Sequence, residues 1–168
     1  MATSPKLISV DEYLRTNYKP NCDYIDGILY QKPFAAWKHA RMQGHLGSLL
    51  GQRFRDFETA IEVTVRIREG KYRVPDVVVD RRDHVEDPYP IEPVHLCIEI
   101  LSPEDRMSNI FAKCEEYHAW GVATTWIVDP DWQRAWEYRR GLRPTEVAPD
   151  GSLTAEGILI PLRDVFLV

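Results

Sequence analysis

Two apolar runs are each interrupted by a single acid. Asp76 lies in Val74-Pro75-Asp76-Val77-Val78-Val79, and Glu99 in Val94-His95-Leu96-Cys97-Ile98-Glu99-Ile100-Leu101-Ser102. An ionised carboxylate in an apolar strand costs several kcal/mol unless a cation or hydrogen-bond donors meet it. Two such strands side by side can hold a divalent metal between their acids, and hard carboxylate oxygens suit Mg²⁺ or Mn²⁺. A metal there makes its water easier to deprotonate and stabilises charge building on a scissile phosphate. Lys113 follows the Glu99 strand, and its ammonium could orient that water or favour the hydroxide form. Together Asp76, Glu99 and Lys113 suit hydrolysis of a phosphodiester.

Taken singly, each residue has a plainer reading. An acid in an apolar strand also fits the strand's exposed end or an arginine partner. Lys113 fits a helix-flank lysine with its stem on apolar surface and its head in water. His39, near a helix start, suits a supporting donor or a surface position equally. His39 and His45 lack metal-ligand spacing and no nearby Cys joins them, which excludes zinc. Trp120, Trp126, Trp132 and Trp136 cluster in sequence, and core or dimer packing accounts for them more simply than base stacking.

The elements that must position these residues follow from periodicity and punctuation. Ser9-Val10-Asp11-Glu12 has the capping-box form and opens a short helix to about Arg15. Cys22 to Ile25 and Ile28 to Gln31 flank Asp26-Gly27, a hairpin signal. Ala36 to Phe57 reads as a long helix, with Met42, Leu46, Leu49, Leu50 and Phe54 at helical spacing. Gly44, Gly47 and Gly51 each cost about 1 kcal/mol against Ala inside it, which predicts a close packing contact on that face. Ile61 to Arg68 alternates as a strand, turns at Glu69-Gly70-Lys71 and returns through Tyr72 to Val79. This predicts an antiparallel hairpin with Asp76 near its far end. Asp80 to Pro93 is a loop by composition. The unalternating run around Glu99 predicts a strand covered on both faces.

A helix is predicted from Ser102-Pro103-Glu104-Asp105 to Trp120, stopping at Gly121. Its stripe is Met107, Ile110, Phe111, Cys114, Tyr117 and His118, with Lys113 on the flank. Thr124 to Val128, Arg134 to Arg139 and short strands to Val168 complete the chain. The order predicts an α/β (α+β) mixed sheet with helices on it, in one domain over residues 1–168.

The totals bound the function. In 168 residues, 44% are apolar and 28% charged, ordinary for a soluble globular protein. No apolar run is long enough to span a bilayer, and Met1 to Lys6 lack a signal peptide's apolar segment, so the expectation is a cytoplasmic protein. A net charge of −5 argues against general coating of nucleic acid, though not against local phosphate binding. Arg53, Arg55, Arg66, Arg68, Lys71, Arg73, Arg81 and Arg82, with acids interspersed, read better as a solvated charged face than as a DNA groove. Cys22, Cys97 and Cys114 show no disulfide or zinc spacing, and the latter two read as small core residues.

An ordered series of residues carries a family resemblance. It comprises Tyr24-Ile25-Asp26-Gly27, His39, Val74-Pro75-Asp76, Glu99-Ile100-Leu101-Ser102-Pro103, Lys113 with Tyr117, and Gly121-Val122 leading to Trp126-Ile127-Val128-Asp129-Pro130. The chain resembles the Uma-type restriction endonucleases over nearly its whole length. Their wider superfamily is marked by a split Pro-Asp…(Asp/Glu)-x-Lys signature. The resemblance implies a restriction-endonuclease-like mixed β-sheet core flanked by helices, with N-terminal and C-terminal β-hairpin additions. It implies Asp76, Glu99 and the carbonyl of Ile100 as ligands of Mg²⁺ or Mn²⁺. Leu101 stands where the superfamily pattern has Lys, and Lys113 is the implied counterpart on the following helix. Asp23 matches an early acid of the family hairpin, and His39 the histidine of the second helix. Relatives often carry an acid four residues before the helix lysine, where this chain has Asn109.

Two readings stay open. One is a metal-dependent DNA endonuclease, by resemblance a homodimer, with no small-molecule cofactor and no membrane partner. The other is a catalytically silent nuclease-fold module that binds DNA or a protein. The acidic charge and the missing in-line lysine favour the second; Asp76, Glu99 and Lys113 together favour the first.

Overall fold

The computed structural model describes residues 7–167; Met1 to Lys6, read above for a leader segment, lie outside them, as does Val168. The elements in order are α1 (Val10–Arg15), β1 (Cys22–Ile25), β2 (Ile28–Gln31), α2 (Trp37–Arg53), β3 (Phe57–Ile61), β4 (Val65–Arg68), β5 (Lys71–Arg73) and β6 (Val77–Arg81). There follow β7 (Leu96–Ile100), α3 (Met107–Trp120), β8 (Thr124–Asp129), β9 (Arg134–Arg139), β10 (Thr145–Glu146), β11 (Ser152–Ala155), β12 (Ile158–Pro161) and α4 (Leu162–Val165).

The central sheet has six strands in the order β10-β9-β8-β7-β6-β3. Its one parallel pair, β7 with β8, is joined through α3, as a parallel connection requires a crossover. Side-chain alternation along the middle strands serves two covers. Leu96, Ile98 and Ile100 of β7 join Val77, Val79, Trp126 and Val128 beneath α2 and the β11–β12 hairpin. Cys97 and Val78 face the opposite way, toward Tyr117 of α3. β7 is buried at every residue, as its unbroken apolar run predicts.

A second sheet, β2-β1-β5-β4, carries the N-terminal hairpin. Asp26 (φ 47°) and Gly27 (φ 92°) give its turn the two positive φ angles of a type I′ hairpin. The two sheets are linked by one long, split hairpin. Its outer half pairs β4 with β5, and its inner half pairs β3 with β6. The strands predicted over Ile61 to Arg68 and Tyr72 to Val79 are therefore each two strands. The first breaks where Glu62 takes φ 52°, the second at Val74-Pro75-Asp76. The two breaks face each other, since Glu62 N–H bonds the Asp76 carbonyl at 3.2 Å.

Helix limits are also corrected. α2 ends at Arg53 rather than Phe57, because Phe57 is buried in the core as the first residue of β3. α3 starts at Met107 rather than Ser102. The Asp105 carboxylate accepts the Ser102 N–H at 2.7 Å, closing a turn ahead of the helix. The expected glycine contacts occur at Gly47, against Ile61, and at Gly51, against Thr59; Gly44 has open space around it and nothing in the structure explains it. Trp126 is core, Trp120 and Trp136 are half-buried, and Trp132 is exposed, so core packing accounts for the first three alone. Among the described residues no helix is long and apolar enough to cross a membrane.

His118 lies within this frame, its Nε2 3.1 Å from Thr125 Oγ1 and its ring edge-on to Tyr138. Burial pushes its pKa below the usual histidine value. Such a base binds fewer protons folded than unfolded, so its stabilising contribution is complete above about pH 6.5 and is lost as the pH falls through that value. Urea unfolding at about pH 7.5 and about pH 5.5 should show a smaller acid-side loss for His118→Gln than for wild type. Equal losses would mean that the ring is already solvated.

Candidate active site

Alternation along β7 points Glu99 at α3, where Tyr117 and Lys113 stand one helical turn apart on the facing side. Tyr117 Oη donates to Glu99 Oε1 at 2.6 Å and Lys113 Nζ to Oε2 at 2.9 Å. The carboxylate is 2% exposed, so its two lone-pair faces are met by protein rather than water. Lys113 is thus turned inward rather than to solvent, with 13% of its side chain exposed.

Asp76 reaches the same place by leaving a ladder. β6 pairs with β7 as far as Val77 opposite Ile98. Continuing that register would set Ile100 opposite Pro75, which has no N–H to donate. The chain departs from the ladder there, and Asp76 Oδ2 accepts the Ile100 N–H at 2.7 Å in place of a strand partner. Leu101 N–H, in the same peptide unit as the Ile100 carbonyl, bonds the Val128 carbonyl at 2.8 Å. Because that peptide is trans, the Ile100 carbonyl points the other way, toward Asp76.

His39, in the first turn of α2, is buried with Nε2 3.3 Å from Asp76 Oδ2. Its Nδ1 is buried without a partner among the described residues. Asp23 of β1 lines the same cleft but is committed to the backbone and to an arginine. Its carboxylate accepts Val74 N–H at 2.8 Å and Arg73 Nη1 at 2.8 Å, and Arg73 also grips Glu116 of α3. Asp23 therefore ties down the segment just ahead of Asp76. Arg73 belongs to this buried network rather than to a solvated face, which corrects its sequence reading; Arg68, Arg81 and Arg82 remain exposed and paired to Asp26, Asp83 and Glu58.

One site residue was not foreseen. Lys32, just past β2, donates to Asp76 Oδ1 at 2.5 Å and to the Val74 carbonyl at 3.0 Å. In Gln31-Lys32-Pro33 nothing local distinguishes it from a surface lysine. Lys32, His39, Asp76, Glu99, Asn109 and Lys113 line one cleft of about 470 Å³.

The electrostatics differ between the two acids. Burial pushes the Asp76 carboxyl up, but Lys32 and the His39 hydrogen bond outweigh it and hold the pKa well below the usual carboxylate range. Burial also raises Glu99, and the Asp76 charge adds to it; Lys113 opposes without cancelling the rise. For Lys113, burial acts downward, but the charges of Glu99, Asp23 and Asp76 together outweigh it and push the ammonium's pKa up. For His39, burial acts downward and the Asp76 contact more than offsets it, so its pKa is raised.

No three Asp, Glu, His or Cys side chains among the described residues form a ligand set by themselves. Two carboxylates and one backbone carbonyl are a hard-oxygen donor set. This matches Mg²⁺ or Mn²⁺, which bind through one or two carboxylates and keep waters, and does not match zinc.

Comparisons with known proteins bear on this cleft. The profile of the Uma2 family, described as "Putative restriction endonuclease", matches residues 10–162. A solved structure described as a putative nuclease belonging to DUF820, from Anabaena variabilis ATCC 29413, superposes with a TM-score of 0.81 at 23% identity. The match covers 95% of this chain and 97% of that one. That likeness establishes the fold: a mixed sheet flanked by helices. No curated protein matches the chain significantly.

Proposed function

Because the chain belongs to the Uma2 family, we propose that it is a Mg²⁺- or Mn²⁺-dependent endonuclease hydrolysing phosphodiester bonds in DNA. One observation carries the reading. Asp76, Glu99 with Ile100, Lys113 and His39, from four separate segments of the chain, line a single cleft at the point where the sheet opens. Asp76, Glu99 and the Ile100 carbonyl would hold the cation, which when bound stabilises charge developing on a scissile phosphate and acidifies water.

The chain's own residues do the rest. Lys113, fixed by Glu99, presents a permanent positive charge beside the position of attack and favours an anionic oxygen there. Tyr117 locks the Glu99 rotamer, leaving that carboxylate little freedom to swing. His39 holds Asp76 Oδ2 from α2, and Asp23 anchors Val74 so that Asp76 stays at the break. A cytoplasmic homodimer completes the proposal, since a two-fold pair of clefts can address two antiparallel strands.

A specific observation favours the silent module as a second reading. Each of the two carboxylates already has its own lysine, Lys32 for Asp76 and Lys113 for Glu99, so both acids are paired within the protein itself. A supercoiled plasmid separates the two. The enzyme nicks or linearises it with Mn²⁺, and EDTA or Glu99→Gln abolishes the cut. Plasmid that stays intact but is retarded in a gel supports the module instead.

A further inference from the structure

The Asp76 carboxylate divides its oxygens between two duties. Oδ2 is taken by the Ile100 N–H and approached by His39 Nε2. Oδ1 is the oxygen left for a cation, and Lys32 Nζ is seated on it. A lysine ammonium and a divalent ion cannot share that oxygen without strong mutual repulsion.

A second seat for Lys32 lies close by. Glu62 Oε1 is 3.9 Å from Lys32 Nζ, and no other cation among the described residues comes within 4.0 Å of that carboxylate. Its remaining partners are neutral amides: Asn21 Nδ2 donates to Oε2 at 2.7 Å and Gln43 Nε2 to Oε1 at 3.2 Å. Neutral amides thus orient the Glu62 carboxylate, and Lys32 is the cation nearest to it among the described residues. It sits at φ 52°, a conformation few non-glycine residues adopt, and its N–H is bonded to the Asp76 carbonyl. The unusual backbone is part of what sets this acid beside the site.

Resting on the metal-site reading above, we infer that Lys32 is a resident counter-ion. It occupies Asp76 Oδ1 when no metal is there and moves to Glu62 when one arrives. Metal affinity is then set by a lysine and an acid that are not themselves ligands. Lys32 lowers affinity by competing for Asp76, and Glu62 raises it by taking the displaced ammonium.

The test is calorimetric titration of Mn²⁺ into wild type, Lys32→Met, Glu62→Gln and the double variant, with a urea melt of each as a folding control. Removing the competitor should tighten Mn²⁺ binding by on the order of tenfold. Glu62→Gln, which leaves Lys32 without its second seat, should weaken binding by roughly threefold or more, and this loss should vanish in the double variant. If Lys32→Met does not fold, Lys32→Gln takes its place in the cycle. The inference is overturned if Lys32→Met binds Mn²⁺ no better than wild type, or if the Glu62→Gln loss persists without Lys32. In those cases wild-type binding that Asp76→Ala abolishes leaves the metal site standing. Absence of Mn²⁺ binding in all four proteins overturns the metal-site reading and this inference together.

Discussion

Asp76→Asn is expected to lower Mn²⁺-dependent plasmid cleavage by on the order of a thousandfold, about 4 kcal/mol of transition-state stabilisation. The substitution is nearly isosteric. An amide oxygen at position 76 can still accept the Ile100 N–H, so the join between β6 and β7 should survive. The second atom becomes an NH₂, which can neither accept from Lys32 nor ligate a hard cation. Lys32 then turns to Glu62, its other acid within 4.0 Å. Loss of cleavage with a largely retained urea midpoint would assign Asp76 a role in the chemistry. Cleavage within about threefold of wild type would remove Asp76 from the metal site and with it the main support for the endonuclease reading.

Lys113→Met is expected to destabilise the fold by about 3 kcal/mol, the lower end of what losing one partner of a buried ion pair costs, because 13% of the lysine side chain reaches solvent. Glu99 is left 2% exposed with Tyr117 as its remaining side-chain donor. Burial then pushes the Glu99 carboxyl further up, with Lys113 no longer opposing it. An acid whose folded pKa exceeds its unfolded value binds more protons when folded, so stability is retained at low pH and lost as pH rises. The deficit of Lys113→Met should therefore shrink between about pH 8 and about pH 5. Adding Glu99→Gln should recover part of the loss at neutral pH, since a neutral amide can stay buried against Tyr117. A deficit below about 1 kcal/mol, independent of pH, would mean that water reaches Glu99 and that the pair behaves as a surface one.

Much of this architecture is legible from local pattern. The unalternating run around Glu99 marks a strand with two covers, and β7 is buried on both faces. Asp26-Gly27 marks a type I′ turn, because two positive φ angles are easiest for those residue types. Gly121 ends α3 at φ 135°. Asp76 and Glu99 stand out as single acids in apolar runs, and the fold brings both to one cleft.

Other features depended on contacts across long separations. The split of one predicted hairpin into β3–β6 and β4–β5 follows from which sheet each half joins. Within the chain, Ile61 to Arg68 alternates without interruption. Lys32 meets Asp76 across 44 residues, and Glu62 meets Asn21 across 41. Periodicity and turn chemistry report how a residue suits its neighbours along the backbone, so they identify strands, caps and anomalous acids. The cation that neutralises a buried acid is chosen by distance and desolvation in the folded molecule, and that choice became visible only in the tertiary structure.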